Sequence, residues 1–277
     1  MNAMGDAPRA DSELVALSNV GFAYPGGKAV IGGLTLSIPR GSITGIVGPS
    51  GCGKSTVLAL ISGLLQHSSG NIVRSHAGGR HALSMMFQKD TLLPWMTARE
   101  NVLLYSRFRR HRRAAILRGA ERRAAEQKHA DELLRLVHLG GQGDVYPYQL
   151  SGGMRRRVAF LSSIAPNPEL LLLDEPFSAI DEPTRIGIHQ DVFRIIRLMG
   201  TTTVLVTHDL AEAITLCDRV LILTKRPTIV YRTHEIPFGA ERDMMKLREQ
   251  KDFLSLYAAL WHDLSEQIAA SSSEAAL

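Results

Sequence analysis

The chain is poor in cysteine and in long apolar runs, and both absences exclude classes of protein. Two cysteines among 277 residues, Cys52 and Cys217, are too few for a disulfide scaffold or a four-cysteine metal site. No apolar run approaches the roughly 18 residues that a membrane-spanning helix needs. The first residues, 1–12, contain no apolar segment of the kind found in secretory signals. These features predict a globular protein in a reducing, cytoplasmic setting.

Basic charge is present but unevenly distributed. The formal net charge of +5 would by itself suggest nucleic acid or an anionic membrane as a partner. Nine basic and two acidic residues lie between Arg107 and Lys128, whereas the rest of the chain carries 23 basic and 25 acidic residues. We call residues 107–128 the basic segment. It is either a solvated helix face or a contact with anionic headgroups or a membrane partner.

Hydrophobic patterning predicts an α/β protein. Apolar runs typical of buried strands occur at 43–47, 170–173, 203–206 and 220–223. Helical segments separate them, an alternation that is typical of a parallel sheet covered on both faces. Earlier runs predict strands, split by glycine-rich turns at 25–27 and 32–33, over residues 14–17, 20–22 and 34–38. Residues 97–140 are predicted to be helical and 269–277 a frayed tail.

A glycine-rich loop between a predicted strand and a predicted helix matches the phosphate-binding pattern G-x-x-x-x-G-K-[ST]. Its residues are Gly48, Pro49, Ser50, Gly51, Cys52, Gly53, Lys54, Ser55 and Thr56. Glycines let successive N–H groups point at phosphate oxygens, and the helix N-terminus adds partial positive charge. We expect Lys54 to bridge phosphates and Ser55 to bind Mg²⁺, with Cys52 serving only as a backbone donor.

Two acids follow the apolar run at 170–173. Carboxylates at the carboxyl end of a parallel strand face the ligand crevice. Asp174 is therefore predicted to hold Mg²⁺, and Glu175 to polarise an attacking water. Together with the glycine-rich loop, these acids indicate a nucleotide-hydrolysing core.

The segment Leu150–Met154 identifies what kind of core this is. It reads Leu-Ser-Gly-Gly-Met and resembles the signature of the ATP-binding cassette (ABC) ATPases, specifically the transporter subunits. Further matches follow in the order typical of that family: Tyr24, Gln88, Ser178-Ala179-Ile180-Asp181 and His208. The resemblance implies a P-loop NTPase core with a parallel sheet, an N-terminal antiparallel β subdomain and an inserted α-helical signature subdomain.

The resemblance also assigns roles to the matching residues. It implies that Tyr24 stacks on adenine, that Gln88 reaches Mg²⁺ and the water, and that His208 contacts the γ-phosphate. Ser151, Gly152, Gly153 and Asp181 would face the nucleotide of a partner subunit. The implied assembly is a homodimer with two ATP molecules at the interface, bound to membrane permease subunits and acting indirectly with a solute-binding protein. Nucleic acid is not an expected partner.

The resemblance implies subdomain limits as well. They are a flexible N-terminus at 1–13, the β subdomain and P-loop part of the core at 14–95, the helical signature subdomain at 96–160, the rest of the core at 161–225, and a C-terminal extension and tail at 226–277. The implied location is the cytoplasmic face of the inner membrane.

Residues 86–95 and 100–102 narrow the resemblance to importers for nitrate, sulfonates, taurine and related solutes. Leu92, Leu93 and Trp95 either form a groove for a partner helix or pack inside the domain. Ser162-Ser163 and Ile180 depart from the usual family residues, which leaves the solute open. The alternative is a soluble ABC ATPase acting on nucleic acid or ribosomes, but such relatives usually carry two cassettes or a long insert.

Overall fold

Strands and helices follow the predicted order along the chain. In a computed structural model of the protein, the described residues are 13–75, 81–89, 91–109, 119–178 and 180–274. The strands are β1 (Glu13–Ala23), β2 (Ala29–Pro39), β3 (Ile43–Val47), β4 (Ser69–Arg74), β5 (His81–Met86), β6 (Pro168–Asp174), β7 (Thr202–Val206), β8 (Arg219–Leu223) and β9 (Val230–Glu235). The helices are α1 (Lys54–Ser62), α2 (Ala98–Val102), α3 (Leu104–Arg109), α4 (Gly119–Leu136), α5 (Gly152–Ile164), α6 (Glu182–Met199), α7 (Leu210–Leu216), α8 (Met244–Leu247) and α9 (Lys251–Glu274).

The main sheet has the strand order β5-β6-β7-β3-β8-β9. Its first five strands are parallel to their neighbours, and β9 pairs antiparallel with β8. Every residue of β3, β6 and β7 is buried, which accounts for the apolar runs that they contain. The parallel sheet is therefore confirmed.

A smaller antiparallel sheet, ordered β2-β1-β4, packs beside the main one. Its core positions include Leu14, Leu17 and Leu34, which form a cluster with Val57 of α1. One expectation was wrong, because the glycine pair at 32–33 does not interrupt a strand: β2 continues through both residues. The strand β4 had no sequence signal, since most of its residues are exposed or half-buried.

The helical region contains α2 to α5. Leu133, Leu134 and Val137 are buried against the core, and Leu136 is partly buried, so the predicted apolar stripe faces inward. Residues 110–118, which hold much of the basic segment, lie outside the described residues. The two readings of that segment both stay predictions.

The C-terminal part is more ordered than expected. It begins with β9, which completes the main sheet, and continues through α8 into α9. The frayed tail was predicted to begin at residue 269, which was wrong, because α9 extends to Glu274. Residues 275–277 lie outside the described residues. Within the described ranges, no helix is both long and apolar enough to cross a membrane. The predicted subdomain limits stay predictions.

Candidate nucleotide-binding site

The loops that carry the predicted site residues leave one edge of the main sheet. Strands β5, β6, β7 and β3 are parallel neighbours, and each ends just before a loop. Gln88, Glu175, His208 and Gly48 follow these strands in that order across the sheet. Because the carboxyl ends of parallel strands share an edge, residues more than a hundred positions apart in sequence meet here.

The glycine-rich loop joins β3 to α1 with a left-handed backbone. Gly51 and Gly53 have φ angles of 71° and 119°, and no side chain caps the N-terminus of α1. A Cβ on Gly53 would lie 3.0 Å from Val30 Cγ1, so a larger residue would also be crowded. The first N–H groups of α1 are therefore available to an anion, as in other phosphate-binding helix N-termini.

Lys54 points back over this loop. Its Nζ donates hydrogen bonds to the backbone oxygens of Gly48 (2.9 Å) and Pro49 (3.0 Å), and the residue is only 8% exposed. A buried ammonium at the N-terminus of a helix adds a full positive charge to the helix dipole. The loop thus combines backbone donors with one positioned cation.

The C-terminal part of the chain contacts the glycine-rich loop at Cys52. Thr228 donates a hydrogen bond from its hydroxyl to the backbone oxygen of Cys52. Cys52 N donates to Pro49 O at 3.2 Å, and burial raises the pKa of the Cys52 thiol. A buried, protonated thiol is a poor nucleophile, so these contacts agree with a purely structural Cys52. Thr228 was not found from the sequence, which holds no local signal for this distant contact.

Tyr24 lies beside the start of α1. Its hydroxyl is 3.4 Å from Thr56 Oγ1, and its ring stands edge-on to Phe22 with centroids 4.9 Å apart. The side chain is 46% exposed, so one face of the ring is open to a planar ligand. The aromatic position next to the loop is the geometry expected for a base-stacking residue.

Asp174 and Ser55 meet between the loop and β6. Burial raises the pKa of Asp174, whereas a hydrogen bond with the Ser55 side chain lowers it; the negative charge of Glu175 raises it and the Lys54 ammonium lowers it. The net effect is a raised pKa, because neighbouring groups do not fully offset the cost of burying the ionised carboxylate. A bound cation would offset that cost. A hydroxyl and a carboxylate are both ligands that Mg²⁺ prefers.

Glu175 occupies an unusual backbone conformation. Its φ is +44°, in the left-handed region that non-glycine residues rarely adopt, while its N–H donates to Val206 O at 2.9 Å. Gln88 Nε2 donates to Glu175 Oε2 at 2.9 Å, and His208 Nδ1 is 3.4 Å from the same oxygen. Two predicted catalytic side chains therefore converge on one carboxylate oxygen of a third, Glu175, at the sheet edge.

The loop bearing Gln88 is tied to the signature helix. Arg156, on α5, is buried and donates a hydrogen bond to the backbone oxygen of Gln88. Arg156 was not predicted as a site residue from the sequence. Its position in the run Arg155-Arg156-Arg157 gives no indication of which arginine turns inward. This hydrogen bond is a direct contact between α5 and the loop that bears Gln88.

The signature residues form a surface of their own. Ser151 caps α5 by accepting a hydrogen bond from Met154 N at 3.2 Å, and Asp181 caps α6 by accepting one from Thr184 N at 3.2 Å. A Cβ on Gly153 would lie 2.9 Å from Thr184 Cγ2, so the two helix starts are packed together. Ser151, Gly152 and Asp181 are exposed. The hydrogen bond from Thr184 lowers the pKa of Asp181.

The predicted groove residues separate into two kinds. Leu92 packs against the core and Leu93 is half-buried, which fits the packing interpretation, whereas Trp95 is 70% exposed.

The buried Asn101 holds the loop 93–97 through four hydrogen bonds. Its Nδ2 donates to the backbone oxygens of Leu93 (3.2 Å), Met96 (3.0 Å) and Thr97 (3.0 Å), and its Oδ1 accepts from Leu93 N at 2.8 Å.

Comparison with known proteins agrees with this geometry. The profile of the family described as ABC transporter matches residues 31–178. The chain is 37% identical over 261 residues to the nitrate import ATP-binding protein NrtC of Synechococcus elongatus, covering 89% of this chain and 37% of that protein. It is 42% identical over 220 residues to the aliphatic sulfonates import ATP-binding protein SsuB 1 of Burkholderia cenocepacia, covering 79% of this chain and 63% of that protein.

The chain thus spans less than two thirds of the length of these two relatives. Among solved structures, a dimeric post-hydrolysis state of the ATP-binding cassette MJ0796, bound to ADP and Pi, superimposes with a TM-score of 0.67. It is 31% identical in sequence, with 81% of this chain and 100% of that chain covered. The family profile, these relatives and the sheet-edge cluster agree: the chain belongs to the ABC transporter family.

Proposed function

We propose that the protein is the ATP-hydrolysing, energy-coupling subunit of an ABC importer. The observation that carries the proposal is the convergence of Gln88 and His208 on the Glu175 carboxylate, at the same sheet edge as the glycine-rich loop. Relatives named as import ATP-binding proteins support the direction of transport. ATP hydrolysis would supply the energy for the transport step.

The chain's own residues account for most of the chemistry. The N–H groups of the glycine-rich loop and the Lys54 ammonium would bind the phosphates, and Tyr24 would stack on the adenine. Glu175 would accept a proton from the attacking water as a general base. His208 and Gln88 would hold that water and the Glu175 carboxylate in line with the terminal phosphate.

Mg²⁺ fits the oxygen donors at this edge. Ser55 and Asp174 already lie in contact, and the amide oxygen of Gln88 is the third predicted ligand. When bound, the ion would neutralise phosphate charge and favour the ionised form of Asp174.

We propose further that each nucleotide site is completed by a second copy of the chain. Ser151, Gly152 and Asp181 are exposed on one surface, with α5 presenting an exposed N-terminus, capped by Ser151, that suits a phosphate. In a head-to-tail homodimer this surface would cover the nucleotide held by the partner's loop. Closure would then move α5, and Arg156 would transmit that movement to Gln88.

Subunit mixing tests this shared site. Gly152→Asp places a carboxylate where the partner's phosphate would lie, and a Cβ there meets no atom within 4 Å, so the variant is expected to fold. In a Glu175→Gln background, neither Lys54→Ala nor Gly152→Asp alone should retain ATP. When the two variants are mixed in equal amounts, about half of the dimers contain one copy of each. In such a dimer both substitutions fall in the same site and the other site is free of both, so the mixture should retain ATP.

Gly152→Asn is the matched control, because it has the size of the aspartate without its charge. It should retain far more ATP than Gly152→Asp. Mixed dimers that form but retain no ATP would contradict the shared site.

The permease is the proposed partner for the surface around Trp95. Trp95 is exposed at 70%, while Asn101 holds its loop in place, and Tyr148 is exposed at 72% just before the signature. Exposed aromatic residues on a fixed loop are typical of an interface anchor. Trp95→Ala should leave the unfolding midpoint unchanged but lose capture of the co-expressed permease. Leu198→Ala, at another exposed apolar residue (72%), is the control.

The solute and the location follow from the same proposal. Relatives named for nitrate and aliphatic sulfonates support a small oxyanion or nitrogen compound, delivered by a solute-binding protein. The subunit would then lie at the cytoplasmic face of the inner membrane. Co-purification of a permease and binding protein, followed by solute binding to the latter, tests this. Tight RNA binding without a permease would contradict it.

A further inference from the structure

Four charged side chains connect the C-terminal part of the chain to two loops of the site. One loop follows β6 and begins with Glu175, and the other follows β7 and carries His208. Arg248 Nη1 is 2.5 Å from Glu182 Oε1, Arg185 Nη2 is 3.4 Å from Glu182 Oε2, and Arg185 Nη1 is 2.9 Å from Asp209 Oδ2. We call these four residues the arginine link. Glu182 binds both arginines, and Arg185 binds both carboxylates, so the link has no break between the end of α8 and the start of α7.

The two ends of the link lie next to site residues. Glu182 is the first residue of α6 and directly follows Asp181, which caps that helix. Asp209 directly follows His208 and caps α7, where its Oδ1 accepts from Glu212 N at 3.1 Å. A shift in either carboxylate would therefore move the start of a helix together with the site residue before it.

The position of Arg248 costs free energy of folding, because part of its guanidinium is buried without hydrogen bonds within the described ranges. Its side chain is 19% exposed, and its Nε and Nη2 are buried without a hydrogen-bond partner among the described residues. The Arg248 hydrogen bond lowers the pKa of Glu182, so the contact favours the ionised carboxylate. Glu182 itself is 55% exposed, so the pair gains little stability against solvent. In some proteins, ionic groups that add little stability serve conformational specificity instead.

We propose that Arg248 is a positioning residue for ATP hydrolysis, acting through Glu182 and Arg185 on the loops that carry Asp181 and His208. This rests on the site proposed above. The link contacts the loops that orient the water and meet the partner subunit. The described hydrogen bonds and ion pairs do not connect it to the glycine-rich loop, so binding of ATP to the chain's own loop should not depend on it.

The placement predicts a split between kinetic constants. Loss of the link would let His208 and Asp181 move relative to Glu175, which lowers kcat, since misplacement by about 1 Å can cost on the order of 100-fold. A partial loosening is expected to lower kcat by about tenfold. The KM for ATP should stay within about twofold, because the phosphate-binding loop keeps its own contacts.

The test uses the full chain and measures kcat, KM for ATP and unfolding midpoint for each variant. Arg248→Met keeps the size of the side chain and removes the charge, and Arg248→Lys restores the charge with fewer donors. Glu182→Gln removes the negative charge from the same contact at a half-exposed position, so it tests the link even where Arg248→Met fails to fold. Lys246→Met, which removes a largely exposed charge from the same helix, is the control.

Arg248→Met and Glu182→Gln should each lower kcat about tenfold without changing KM, Arg248→Lys should be intermediate, and the double variant should fall no further than either single one. Wild-type kcat in Arg248→Met or Glu182→Gln would overturn the inference. Glu175→Gln, measured alongside, separates the two levels. If it still hydrolyses ATP, the proposed site itself is wrong; if it does not and Arg248→Met is normal, only the arginine link is wrong.

Discussion

Two buried titratable side chains behind His208 predict an unusual dependence of stability on pH. His189 on α6 is fully buried and Glu212 on α7 is 3% exposed, with His189 Nε2 4.0 Å from Glu212 Oε2. Burial lowers the pKa of His189 from 6.5 to about 3, assisted by the charges of Arg248 and Arg185. Burial also raises the pKa of Glu212 from 4.5 to about 8, assisted by the charge of Asp209. Despite their closeness, both groups are neutral between these limits.

The sign of each contribution follows from which state binds more protons. His189 binds its proton only when unfolded between pH 3 and 6.5, so its contribution to stability is lost as the pH falls through that range. Glu212 keeps its proton only when folded between pH 4.5 and 8, so its contribution is lost as the pH rises through that range. The two slopes oppose each other between pH 4.5 and 6.5.

Above pH 6.5, Glu212 is the one member of this pair that still changes the free energy of unfolding with pH. A full proton difference changes the free energy of unfolding by about 1.4 kcal/mol per pH unit, so the fall from pH 6.5 to 8 should be about 2 kcal/mol. Thr207, Arg185 and Glu175 also influence Glu212, the first two lowering its pKa and the last raising it.

Urea unfolding at pH 6.5 and pH 8, for wild type and Glu212→Gln, measures the effect. Glutamine keeps the shape of the neutral acid and cannot ionise, so the difference between the proteins isolates Glu212 from all other titrating groups. The wild type should lose about 2 kcal/mol more than the variant over this range. Equal losses in the two proteins would refute the assignment of a buried, protonated Glu212.

Two further predictions concern loops. Asn101→Leu should lower the free energy of unfolding by about 3 kcal/mol, because it leaves Leu93 N and Met96 O without the side-chain amide that they bond; urea titration measures this, and a change below 1 kcal/mol would contradict it. Gly48→Ala should weaken ATP binding, because its Cβ would lie 3.1 Å from Leu223 Cβ and 3.2 Å from its backbone oxygen. We expect a cost of about 1–3 kcal/mol. Calorimetric titration with ATP checks this, and wild-type affinity would count against the crowding argument.

Local sequence predicted the site where the chemistry is carried by adjacent residues. The glycine-rich loop and the acids Asp174 and Glu175 each follow an apolar strand, so both their identity and their sheet edge could be inferred. Family resemblance added Gln88 and His208, whose convergence on Glu175 then appeared in the structure. Apolar periodicity likewise predicted the main sheet.

What could not be predicted depends on contacts between distant segments. Arg156, Thr228 and Arg248 act on residues 68, 176 and 66 positions away, and nothing near them in sequence marks the partner. The positive φ of Glu175 accompanies a hydrogen bond from its N–H to Val206 O of β7, and no glycine in the sequence marks this conformation. Strand β4 was missed because an exposed edge strand lacks the apolar alternation on which strand prediction relies.

The most direct test of the account combines turnover and mass in one protein, Glu175→Gln. If Glu175 is the general base of a site shared by two subunits, hydrolysis should fall by at least about 100-fold while ATP still binds. The same sample should then contain a stable ATP-bound dimer, measured by light scattering. Turnover at the wild-type rate, or a monomer at saturating ATP, would contradict the account.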